Sequence, residues 1–142
     1  EEAIFNFPAW MFSHYGLPKP LSYTHWLINN SFFFLALLSG LFIYNANKQK
    51  HLPFGVGILI WAIMNSIEHI FFSIHDMAVS PGLYTALLFL LIAVYGLNKL
   101  RVSGLLKIRL IGLSLLCAVG YWVIAFAAII ASGSALAARF PC

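Results

Sequence analysis

Between Trp61 and Asp76, the segment WAIMNSIEHIFFSIHD concentrates residues that can do chemistry inside an otherwise apolar stretch. On a helix advancing about 100° per residue, Asn65, Glu68, His69, Phe72, His75 and Asp76 fall within an arc of about 120°. Ile63, Ile67, Ile70, Phe71 and Ile74 occupy the remaining, apolar face. Imidazole nitrogens and carboxylate oxygens are the ligands expected for a transition metal such as zinc, copper, iron or manganese. A carboxylate beside an imidazole can equally serve as an acid/base pair or a proton relay. The same groups could instead form a hydrogen-bonded knot that orders neighbouring helices. Spacing does not decide among these, because Glu68 and His69 are adjacent and His69 and His75 are six apart. That is neither the HExxH pattern nor an i, i+4 histidine pair.

Just upstream, Ser22, His25 and Asn29 fall within about 60° of one another on a helix of their own. If the two segments are antiparallel neighbours, Asn29 approaches Glu68, and His25 approaches His75 or His69. The expected metal ligands are therefore His25, Glu68, His69, His75 and Asp76, with Asn29 and Asn65 orienting them. His14 could cover the cluster. Cys117 reads as a small core residue. Met11, Met64 and Met77 form no copper-type methionine run.

The elements that must position these groups follow from composition. Of the 142 residues, 62% are apolar and 8% charged, with a mean hydropathy of +0.91. Soluble domains carry about 25% charged residues, so an ordinary soluble globule, a disordered chain and a nucleic-acid-binding module are all excluded. Four stretches reach the roughly 20 apolar residues needed to cross hydrocarbon: about 24–44, 52–75, 81–97 and 108–131. Continuous apolar runs such as SFFFLALLSGLF lack the alternation of a barrel strand. The expectation is one all-α integral membrane domain over residues 1–142, a four-transmembrane-helix up-down bundle with an aromatic interfacial N-terminal segment. That segment, FNFPAWMFSHYGLPKPLSYTHW, is too broken by proline to span and suits the headgroup level.

Breakers mark the joints. YNANKQKHLP ends the first span and puts Pro53 in the first turn of the second. AVSPG offers Ser80 as an N-cap and Pro81 as the first position of the third, and NKLRVSG reads as a polar turn. Lys48, Lys50, Lys99, Arg101, Lys107 and Arg109 collect six of the eight basic residues on one side. The positive-inside rule then leaves both termini outside, in a bacterium the periplasm of the inner membrane. A start at Glu1 without Met suits a cleaved signal sequence or a truncated start.

From Asn65 to Tyr95 the chain reads NSIEHIFFSIHDMAVSPGLYTALLFLLIAVY, and an Asn and His on one helix followed by S-P-G-L-x-T-A resembles the bacterial HXXEE-domain family. The naming motif falls at HWLINN, His25 to Asn30, with Asn29 and Asn30 where the paired glutamates are expected. The resemblance covers about a quarter of the chain. It implies a small four-helix membrane protein with His25 facing His69 more than it implies an activity.

With almost no extramembrane domain and no nucleotide or substrate motif, the leading expectation is a non-catalytic accessory subunit of a larger membrane complex. Its partners would be the bilayer and other membrane subunits, with no nucleic acid. The alternative is a membrane metalloprotein or metalloenzyme acting on a lipid or small apolar substrate. A small transporter is disfavoured, since helices broken at mid-membrane are not evident.

Overall fold

In hydrocarbon every backbone N–H and C=O must be satisfied within the chain, so long apolar runs become helices. The structure, a computed structural model, describes residues 6–15 and 22–139, without the side chains of residues 11, 15, 25, 29 and 128–139. Its described elements are α1 (Phe7–Tyr15), α2 (Tyr23–Ala46), α3 (Leu52–His75), α4 (Leu83–Val102) and α5 (Ile108–Arg139). Four of them, α2 to α5, contain segments long and apolar enough to cross a membrane. The protein is thus a small all-helical membrane protein with four spanning helices.

The joints depart from expectation in instructive ways. Pro53 does sit in the first turn of α3, where a missing N–H costs nothing. The preceding His51 points its ring back, Nδ1 donating to the Ile43 carbonyl at 2.9 Å near the end of α2. Ser80, however, is not the cap of α4. Gly82 takes that position with φ 89°, and no side chain caps the helix. Ser80 turns instead toward α3, its Oγ donating to the His69 carbonyl at 2.8 Å. It also lies 2.9 Å from Ser73 Oγ, which accepts the Ser80 N–H at 3.0 Å. Pro81 consequently stays in the turn, and α4 begins at Leu83.

At its other end α4 runs through Asn98, Lys99 and Arg101 to Val102, five residues past the expected stop. Cationic side chains favour the last turn of a helix, where the carbonyl ends are exposed. α3 and α4 finish alike. Ala78 N–H bonds the Ser73 carbonyl (3.2 Å) and Met77 N–H the Ile74 carbonyl (3.3 Å); Leu105 and Gly104 repeat this with Leu100 and Arg101 (both 3.0 Å). Both are Schellman motifs, but α3 closes with Met77 at φ 51° where α4 uses Gly104. α5 continues to Arg139 rather than ending near 131; its 32 residues measure about 48 Å at 1.5 Å each, beyond the roughly 30 Å of hydrocarbon.

Helix α3 is central and packs against α2, α4 and α5, while α2 also packs against α5 and α4 packs chiefly on α3. Lipid tails are as apolar as leucine, so close approach and hydrogen bonds must hold such helices together. Gly57 supplies the approach to α5: a Cβ there would stand 2.7 Å from Cys117 Cβ and 3.1 Å from the Ser114 carbonyl oxygen. Tyr121 of α5 donates to the Phe54 carbonyl at 3.0 Å and passes α2 where Gly40 has no side chain to obstruct its ring. Between α3 and α4, the fully buried Ser66 hydroxyl lies 2.6 Å from both the Ala62 and the Ala86 carbonyls. Its single proton thus tethers one helix to the other.

Gly57→Ala is expected to destabilise the bundle by about 1–3 kcal/mol, the usual cost of overpacking. Gly112, with nothing within 4 Å of an added Cβ, should accept alanine without loss. Detergent-denaturation midpoints of the two variants, which should differ in this order, check the α3–α5 contact.

Candidate functional site

Helix α1 presents Phe7, Trp10 and His14 at i, i+3 and i+7, one face of a short helix. That face docks on His69 and Phe72 of α3, themselves three residues apart. Trp10 stacks on His14 and on His69, with centroids 4.7 and 6.0 Å apart, and meets Phe72 edge-on at 5.1 Å. His14 packs edge-on against Phe72 at 4.8 Å. The aromatic N-terminal segment is therefore, over residues 7–15, a helix that covers His69, which keeps 5% of its surface exposed.

The docked helix is pinned by Asp76. His14 Nε2 donates to Asp76 Oδ2 at 2.6 Å, and His75 Nδ1 donates to Asp76 Oδ1 at 2.8 Å. His14 Nδ1 lies 2.8 Å from the Trp10 carbonyl and 2.9 Å from Ser13 Oγ. The Asp76 carboxyl is held below its ordinary value chiefly by the hydrogen bond from His75, against a smaller opposing effect of desolvation, with His14 adding to the depression.

Beneath α1 lies a cavity of about 550 Å³ bounded mainly by α2, α3 and α4. It follows from the packing: α2 and α4 flank α3 without packing closely on each other. Asn30 of α2, Asn65, Glu68 and His69 of α3, and Thr85 of α4 line the end nearest α1. Further along, Phe33, Leu37, Leu41, Ile58, Leu59 and Phe89 make it apolar. Trp61 and Trp122 complete its wall, and their indole N–H groups are buried without a hydrogen-bond partner among the described residues. The Glu68 carboxylate likewise has no hydrogen bond or ion pair among the described residues. A carboxylate so placed in a membrane span is costly unless something engages it.

The arc read from the sequence is thus divided. Asn65, Glu68 and His69 reach the cavity, whereas Asp76 turns to α1. His75 is 66% exposed and stacks on Phe71, 6.0 Å away on the face read as apolar. Asp76 is the residue at which α3 ends, so helical periodicity ceases to govern it. The side chains of His25 and Asn29 lie outside the described ones. Among the described residues, no three His, Cys, Asp or Glu side chains are grouped to hold a metal ion. Asn30, Thr85 and Trp10 join the site from outside the expected ligand set. The first two stand in HWLINN and SPGLYTA, inside or beside the motifs already noted.

Compared with models of known protein families, with curated proteins and with solved structures, the chain gives no match.

Because the folded Asp76 carboxyl titrates below its ordinary 3.8, its support for α1 is complete above that value and is lost as pH falls through the lower, folded one. Trp10 emission should report α1 loosening only below pH 3.8. Asp76→Asn should abolish that acid transition and speed α1 amide exchange severalfold at neutral pH. An unchanged acid profile would remove Asp76 from the attachment.

Proposed function

We propose that this membrane protein binds an amphipathic molecule resident in the bilayer, within the cavity between α2, α3 and α4. The observation that carries the reading is the cavity's polarity gradient. Amide, carboxyl, imidazole and hydroxyl groups lie at the α1 end and continuous apolar lining beyond. Its size falls within the roughly 300–1,000 Å³ of small-molecule sites, which pair an apolar wall with a few polar groups. The gap between α2 and α4 offers entry from the side, and α1 covers the polar end. With the basic loops inside, the polar end belongs to the outer leaflet, in a bacterium the periplasmic face of the inner membrane.

The experiment is solvent extraction of protein purified in lipid discs, followed by mass measurement of what is released. An amphiphile is expected at about one per chain, and Thr85→Trp, which places an indole in the cavity, should reduce it at least tenfold. Equal recovery from the variant and the parent would overturn the reading. Elemental analysis of the same material tests the metal-dependent alternative. Stoichiometric metal that disappears in Glu68→Ala/His69→Ala would replace the present assignment.

A second reading, an accessory subunit of a larger complex, is favoured by α4. It packs chiefly on α3 and leaves Leu88, Leu91, Val94 and Tyr95 exposed. The intact mass of a gently extracted assembly distinguishes the two: stoichiometric co-purified subunits support this one.

A further inference from the structure

The chemistry around Glu68 narrows the ligand, on the reading that the cavity holds a bilayer amphiphile. We infer that the ligand is a single-chain amphiphile whose head group donates hydrogen bonds, a long-chain amine or alcohol, with the Glu68 carboxylate as its acceptor.

The cavity's size bears on the number of chains. At about 550 Å³ it lies within the range of sites for drug-sized ligands, which suits one chain with a small head rather than a two-chain phospholipid. Length agrees. From Glu68 to Ile58, both at the cavity wall, α3 rises about 15 Å, the reach of an extended chain of about a dozen carbons. Phe33 and Leu37 of α2 and Phe89 of α4 flank this run.

The head group is decided by what the polar end lacks. Glu68 stands at the cavity with no described donor to its carboxylate. The two serine hydroxyls near this end are already committed, Ser80 to the His69 carbonyl and Ser66 to the carbonyls of Ala62 and Ala86. In its ionised form, the carboxylate accepts at both oxygens and donates at neither, so that form fits an O–H or, with charge assistance, an ammonium N–H. A fatty-acid anion would set a second negative charge beside the first in a medium that screens poorly. Asn65, with both a donor and an acceptor, can hold the head's remaining group.

The test uses the full chain in discs of saturated phosphatidylcholine at pH 8. Dodecylamine, dodecanol and dodecanoate are titrated separately, at equal mole fraction in the bilayer. The readout is the saturable change in tryptophan emission that Thr85→Trp abolishes. Amine and alcohol are expected to bind at least tenfold more tightly than dodecanoate. Glu68→Gln should shrink the amine's advantage over dodecanoate at least tenfold, a ratio measured within one variant and therefore independent of its stability. Equal binding of all three heads by the parent protein overturns the head-group inference and leaves the cavity a binding site. An amine-to-dodecanoate ratio untouched by Glu68→Gln overturns the role of Glu68. Absence of any saturable change with all three probes overturns the ligand reading of the cavity itself.

Discussion

Helix α3 touches every other spanning helix, and the contact that permits this is made by an absent side chain. At Gly57 the backbone of α3 comes so near α5 that even a methyl group would intrude on Cys117 and the Ser114 carbonyl. In a bilayer no hydrophobic force draws helices together, and van der Waals contact at such close approach must do so. Ala62, Ala86, Ala93, Ala118 and Ala125, all buried, extend the same principle within the bundle. The buried hydroxyls of Ser66 and Tyr121 add bonds to backbone carbonyls of another helix.

A bundle organised around one helix differs from a square one. Because α3 takes the centre, α2 and α4 are held on its flanks with a gap between them, and that gap is the cavity. Small residues at the seams and large ones such as Phe33, Leu37 and Phe89 around the opening serve the two purposes separately. The polar groups at the cavity's end are then carried by helices fixed elsewhere, so their positions do not depend on their own mutual contacts. Ionisable groups in a span face the bundle interior or a cavity, as Glu68 does here.

Helix α1 connects this interior to the surface. Trp10 and Phe7 lie over His69, while His14 reaches the carboxylate that ends α3. One short helix thereby covers the polar end of the cavity and is anchored at a point open to solvent. Aromatic rings with polar edges suit that level of the membrane; here they are also specific contacts between two elements.

Much of this was written in the order of residues. Apolar runs of 20 or so and the placement of Pro53 gave four spans, because hydrocarbon leaves the backbone no alternative to helix. The 3.6-residue repeat put Asn65, Glu68 and His69 on one side of α3, where the cavity receives them. Periodicity failed at the ends: Asp76 lies at the cap, and His75 packs on Phe71. Turn chemistry at Ser80 is decided by a distant partner, its hydroxyl bonding the His69 carbonyl instead of capping the start of α4. The length, type and polar face of each helix are properties of local sequence. Which helix stands in the middle, which pair is left apart, and hence that a cavity exists at Glu68, are set by the fit of small residues from distant segments, which no single stretch of chain encodes.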